Sequence, residues 1–242
     1  RDDLLGVLLA FIESDAEKRG LEPRVIFLGD IVDRGPESRN CIELVLSTLN
    51  RWPKSKIILG NHDDLFLRVL GTDTPDPAVV DAWRDNGGIP TVYNYDYEAD
   101  LAMARNAIKL DYEHHIELFR NAPLLEVDGL FAFTHAGVRP DRAIDNQDRN
   151  DCLWIRQPFL EYIGPLSHVV VHGHTVTEPR RPVIAANRIA LDTGAYRTGH
   201  LTAFVIDPIA MSIEFAWTQQ NGSDLEVAFV APVQSGCPDA LR

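Results

Sequence analysis

From Asp3 to Lys18 the apolar residues Leu4, Leu5, Leu8, Leu9, Phe11 and Ile12 recur at helical spacing, and Gly20 follows as a stop signal. The pattern predicts an amphipathic helix. Arg24 to Leu28 is then a short apolar run that enters the polar loop GDIVDRGP, after which Ser38 to Leu49 returns to helical spacing. The unit repeats: Lys56 to Leu59 reads as a strand, GNHD as its loop and Asp64 to Leu70 as a helix. Alternation of this kind predicts an α/β fold with a largely parallel or mixed sheet flanked by helices.

Between Gly71 and Pro123 the breakers Pro75, Pro77, Gly87, Gly88 and Pro90 interrupt helical patterns around Val79 to Asn86 and Leu101 to Arg120. This stretch, 71–123, is expected to be a helical insertion. Strand signals resume at Leu130 to Thr134 and Val169 to Val171, then at Ile189 to Asp192, Thr202 to Ile206, Ser212 to Trp217 and Leu225 to Val230. The last three suit an antiparallel ending.

Composition adds limits. At 242 residues, 45% hydrophobic and 24% charged, the chain fits one domain over 1–242 with a continuous core. Its net charge of -13 repels polyanions, which argues against nucleic acid as a partner. Any phosphate site must therefore be built locally, from Arg side chains and metal cations. Cys41, Cys152 and Cys237 show no paired spacing and read as reduced thiols of a cytoplasmic protein, and no apolar stretch approaches the about 20 residues that span a bilayer.

Four short apolar runs each end in a polar cluster: Leu28 into GDIVDRG, Leu59 into GNHD, Phe133 into THAG and Val171 into HGHT. Ligand sites favour the carboxyl ends of such strands. An Asp, an Asn and several His delivered there make a donor set suited to Mn²⁺, Fe or Zn²⁺.

In this order, GDIVDRG, GNHD, HAG and HGHT resemble the signature of the calcineurin-like metallophosphoesterases, and within them the bacterial serine/threonine protein phosphatases of the phosphoprotein phosphatase branch. LWIR and LDTGAY extend the likeness. The resemblance implies a four-layer α/β/β/α sandwich of mixed sheets, two divalent metal ions with Mn²⁺ preferred, and hydrolysis by a hydroxide bridging those metals. By resemblance, Asp30 bridges the two metals, and Asn61, His135 and His174 complete the second site. Arg34 and Arg156 resemble the clamps on the substrate phosphate, His62 the general acid, and Asp33 the carboxylate that orients it. His172, two residues before a ligand, is not expected to be one.

The family pattern opens with a strand ending in D-x-H, and no such motif precedes Asp30. The expectation is that it lies ahead of Arg1; its true loss would leave a phosphate-binding pseudoenzyme. The leading substrate is a phosphoserine or phosphothreonine protein or another small phosphorylated molecule. The rival is a symmetrical bis(5'-nucleosyl)-tetraphosphatase-like hydrolase, because GDxVxRG, GNHD and LDTG suit it as well. Among the remaining polar residues, Asp63 and Asp64 read as the start of a helix. Arg156 has a structural alternative, as an arginine snorkelling from a buried helix. The adjacent His114 and His115 read as a solvated pair, since neighbours on a helix point about 100° apart.

Overall fold

The computed structural model describes residues 1–235. Cys237 and the tail after Ser235 lie outside them; Cys41 and Cys152 are buried thiols that take part in no disulfide. The chain divides into two compact units, one of Arg1–Asp2 with Pro23–Pro123, the other of Asp3–Glu22 with the chain from Leu124 onward. The opening helix, α1 (Asp2–Arg19), belongs almost wholly to the second unit, and its Leu4, Leu5 and Leu8 are buried.

In the first unit, β1 (Ile26–Phe27) pairs in parallel with β2 (Lys56–Ile57), and α2 (Ser38–Arg51) connects them. The strands are shorter than the apolar runs predicted, because the ladder gives way to the motif loops almost at once. Cys41, Ile42, Val45 and Thr48 form the buried face of α2, at the spacing the pattern requires. After β2 come α3 (Asn61–Leu70), α4 (Pro77–Asp85), α5 (Ile89–Val92), α6 (Leu101–Asp111) and α7 (Glu113–Arg120).

Local chemistry explains these starts. The Asp76 side chain accepts from Ala78 N at 2.9 Å, with Pro77 at the first helical position of α4, and Asp100 accepts from Ala102 N and Met103 N at 2.8 and 2.9 Å at the head of α6. The single helix expected over 101–120 is two helices broken at Tyr112, whose backbone leaves the helical region at φ -133. Phe66 of α3 packs edge-on against Phe119 of α7 at 5.6 Å, and Trp83 of α4 is fully buried.

The second unit holds a six-stranded mixed sheet in the order β11-β6-β7-β5-β4-β3 and a three-stranded antiparallel sheet in the order β10-β9-β8. In chain order these elements are β3 (Leu125–Asp128), β4 (Phe131–Thr134), α8 (Arg149–Trp154), β5 (Val169–His172), β6 (Val183–Ala185), β7 (Arg188–Ala190), α9 (Ala195–Thr198), β8 (Thr202–Asp207), β9 (Ser212–Asn221), β10 (Asp224–Phe229) and β11 (Val233–Ser235). The antiparallel ending is as the alternation predicts. β4 falls within the predicted run Leu130 to Thr134, whereas β3, β6 and β11 are too short to stand out in the sequence. Ala136, Val138, Ile155, Phe159 and Val170 form one buried cluster of this unit. The architecture is mixed α/β, and no described helix is long and apolar enough to cross a membrane.

Arg19 fixes the end of α1 through three carboxylates: Asp15 at 2.8 Å, Asp207 at 3.1 Å and Glu214 at 2.7 Å. Backbone donors at Ala210, and after them Arg19, hold the Asp207 carboxyl below its ordinary value. A depressed carboxyl stabilises the fold above its unfolded pKa and loses that effect as pH falls through the folded one. Arg19→Ala is expected to lower Tm by a few degrees at neutral pH, with the deficit shrinking under acid. A deficit constant down to pH 2 in thermal melts would refute it.

Candidate functional site

In the first unit the parallel pairing of β1 and β2 sends GDIVDRG and GNHD off the same sheet edge. The approach is so close that a Cβ on Gly29 would collide with the backbone of Gly60, and one on Gly60 with Asp30 N. Glycine is required at both positions for that reason.

Within the first motif, Asp30, Asp33 and Arg34 all take left-handed backbone, at φ 58, 76 and 65. Such conformations cost about 1–3 kcal/mol each in non-glycine residues and persist only where the surroundings impose them. Here the imposition is visible. Asp63, wholly buried, accepts from Asp30 N at 2.8 Å, from Ile31 N at 2.9 Å and from Gly60 N at 3.0 Å, and so ties the two motif segments together. Asp33 N meets Ser38 Oγ and Thr91 Oγ1, and Arg34 N donates to Gly87 O at 2.9 Å.

GNHD is less of a loop than the sequence suggests, because α3 starts at Asn61 and puts Asn61 and His62 in its first turn. Both are buried. His62 N donates to Asp30 Oδ1 at 3.1 Å. The His62 ring lies between Asp33 Oδ2, 2.7 Å from Nδ1, and the Arg34 guanidinium, 2.7 Å from Nε2. Arg can only donate, so in this arrangement Nε2 accepts and the ring proton sits on Nδ1, toward Asp33.

Burial opposes the imidazolium and Arg34 adds to the opposition, but Asp33 and Asp30 outweigh them and raise the His62 pKa. Burial also pushes the Asp33 carboxyl up, against hydrogen bonds from His62, Thr91 and Trp83. The pair therefore holds its proton to higher pH than a free imidazole would. Trp83 Nε1 at 2.8 Å and Thr91 Oγ1 at 2.7 Å donate to Asp33, and sequence reasoning missed both. Their spacing from the motifs carries no signal. Asp63 was legible only as a helix-start residue; its hold on the other motif was not.

In the second unit the parallel register of β4 and β5 does the same work, pairing Phe133 with Val171 and so ending THAG and HGHT side by side. Gly173 N donates to His135 O at 2.8 Å, and the rings of His135 and His174 lie 5.1 Å apart, edge to face. His135 is buried, and His174 is held at φ 63. Trp154 of LWIR packs edge-on to His174 at 6.0 Å. Arg156, two residues on, is exposed just beyond the end of α8. His172 is a different kind of histidine: wholly buried, its Nδ1 donates to Gly173 O at 3.0 Å, and burial drives its pKa down to about 4. It stays neutral.

A carboxylate and an amide in the first unit's segments, and two imidazoles in the second's, are each donor types that divalent first-row ions accept. Charge points the same way. Asp30, Asp33 and Asp63 crowd one corner, and the Asp63 pKa is pushed up to about 7, first by burial and then by the charge of Asp30. Such a corner needs cations before a phosphate can approach.

Residues 4–188 match the family model described as calcineurin-like phosphoesterase. The chain belongs to the calcineurin-like phosphoesterase family. It is 28% identical over 200 residues to the asymmetrical bis(5'-nucleosyl)-tetraphosphatase PrpE of Anoxybacillus flavithermus, and 31% identical over 201 residues to that of Bacillus thuringiensis, with 74% of each chain covered in both alignments. A metallophosphoesterase structure from Sphaerobacter thermophilus is similar at TM-score 0.48 and 19% identity, over 89% of this chain and 84% of that one. Calcineurin-like phosphoesterases are hydrolases that use divalent metals.

Proposed function

We propose that this calcineurin-like phosphoesterase hydrolyses the phosphoanhydride chain of a bis(5'-nucleosyl) tetraphosphate. The observation that carries the reading is the 28–31% identity, over about three quarters of each chain, to proteins named for that activity. It favours the dinucleotide over the phosphoprotein that the motifs, DRG above all, suggested. Since those relatives are named asymmetrical, the cut is proposed to fall off-centre, giving a nucleoside triphosphate and a nucleoside monophosphate. The symmetrical cut anticipated from the motifs would give two diphosphates.

Asp30, Asn61, His135 and His174 are proposed as ligands of divalent metal, Mn²⁺ before Fe or Zn²⁺. Metal bound there would neutralise the polyphosphate and acidify the attacking water. The side chains supply the rest. Arg34 leaves His62 Nε2 for a phosphate oxygen when substrate arrives, a match its planar fork makes well. That exchange removes the donor facing Nε2, and the imidazole, still anchored through Nδ1 to Asp33, can then take up a proton from water on Nε2 and pass it to the departing oxygen. Arg156 is proposed as a second phosphate contact.

A protein phosphatase remains the second reading on one specific observation, the buried Asp33–His62 pair. An alkoxide leaving from phosphoserine needs a proton far more than a departing phosphate does. The test is a paired assay with Mn²⁺ on diadenosine tetraphosphate and on a phosphoserine peptide, products resolved by ion exchange. Faster nucleotide cleavage to ATP and AMP is expected, and EDTA should abolish both activities. Faster peptide cleavage would replace the proposal with the second reading.

A further inference from the structure

The adjacent histidines His114 and His115 do not form the solvated pair that their spacing suggests. His115 is fully buried, whereas the His114 side chain is 49% exposed. They open α7 directly after the irregular backbone of Tyr112, and their rings stand edge to face at 4.4 Å. That packing overcomes the divergence of neighbouring helical positions. His115 Nε2 is 2.9 Å and His114 Nε2 3.2 Å from the same atom, Oε1 of Glu43 in α2. A carboxylate oxygen and two imidazole nitrogens thus lie within 4.8 Å of one another. All three residues belong to the first unit, and none lies in a phosphoesterase motif.

Orientation and charge state both favour a metal. Tyr95 OH stands 2.7 Å from His115 Nδ1, which fixes Nε2 as the nitrogen that faces Glu43; ligating histidines are held in this way through their other nitrogen. Burial lowers the His115 pKa, so the ring is neutral and can offer a lone pair. The Glu43 carboxyl is held below its usual range, by the His115 contact first, so it is anionic. Half-exposed Glu43 and His114 leave a route in and room for water as a further ligand.

We propose that Glu43, His114 and His115 form a Zn²⁺ site that clamps α2 to α7 and shares no residue with the phosphoesterase centre. Two imidazoles and one carboxylate are a donor set zinc accepts, with bonds of about 2.0–2.2 Å. The ions differ from plain hydrogen bonding in what they ask of His115. A hydrogen bond to Glu43 needs the proton on Nε2, whereas zinc needs it on Nδ1, donated to Tyr95.

The test strips the whole protein with chelator, then titrates it with ZnCl₂ by calorimetry and by thermal melts, beside His114→Ala and Glu43→Gln. Both altered side chains are about half exposed, and circular dichroism establishes that the variants fold. Each variant is expected to bind one equivalent of zinc fewer than the parent, or to bind it at least about tenfold more weakly. Each should also lose part of the zinc-induced rise in Tm, while its Mn²⁺-supported phosphoesterase rate stays within twofold of the parent. Nitrogen NMR should show the His115 proton move to Nδ1 on zinc addition. Equal stoichiometry and equal Tm shifts in parent and variants would overturn the site, as would a His115 proton that stays on Nε2. Neither result touches the nucleotide assay, so the two proposals fail separately.

Discussion

Asp63→Ala is expected to destabilise the protein by at least about 3 kcal/mol, because three backbone N–H groups, of Asp30, Ile31 and Gly60, lose their acceptor at once. Each buried donor left unsatisfied costs about 1–3 kcal/mol, against a total stability of about 5–15 kcal/mol for a typical protein. One effect opposes this: the substitution removes a carboxyl whose burial and proximity to Asp30 are unfavourable, as its raised pKa shows. Relief of a single crowded charge offsets only part of three orphaned donors. Asp63→Asn should fall between, since one amide oxygen can still accept while the NH₂ faces donors. Urea unfolding decides the matter, and an alanine variant within about 0.5 kcal/mol of the parent would show that water replaces the carboxylate. Turnover should fall with stability, because Asp63 sets the left-handed turn that presents Asp30.

His62→Ala is expected to separate substrates by leaving group. General acid catalysis supplies about 10²- to 10⁴-fold. That loss should appear in full on a phosphoserine peptide, whose alkoxide must be protonated, and fall below about tenfold on p-nitrophenyl phosphate, with metal content unchanged. A comparable loss on both would remove His62 from the acid role. Asp33→Asn gives a second check through pH. Asp33 helps to raise the His62 pKa, so its replacement should move the basic limb of the peptide rate profile to lower pH. If that limb stays where it is, another group is the acid.

The fold was legible where period and punctuation agree. The apolar faces of α1 and α2 repeat at helical spacing, the patterns from Val79 and from Leu101 mark α4 and α6, and β8 to β10 follow one another as antiparallel neighbours. Short elements such as β6 and β11, three residues each, hold no period to read. The break at Tyr112 depends on packing among aromatic side chains, which spacing does not encode. At the candidate site, the motif loops offered Asp30, Asn61, His135 and His174 as donors from the residues alone. Asp63 was visible only as a helix-start carboxylate, because its partners lie 32 and 33 residues upstream as well as three. Glu43 had no signal at all, and the pairing of His114 with His115 looked improbable on helical geometry alone. Both depend on α2 and α7 meeting in space.

The left-handed residues Asp30, Asp33, Arg34 and His174 place chemistry where glycine would sit more comfortably. Glycine there would release the torsion, yet at Asp33 it would also strand the donors of His62, Trp83 and Thr91, and at Asp30 the backbone N–H of His62. The strained torsions and the hydrogen bonds that hold them are therefore locked together, and neither can be improved without losing the other.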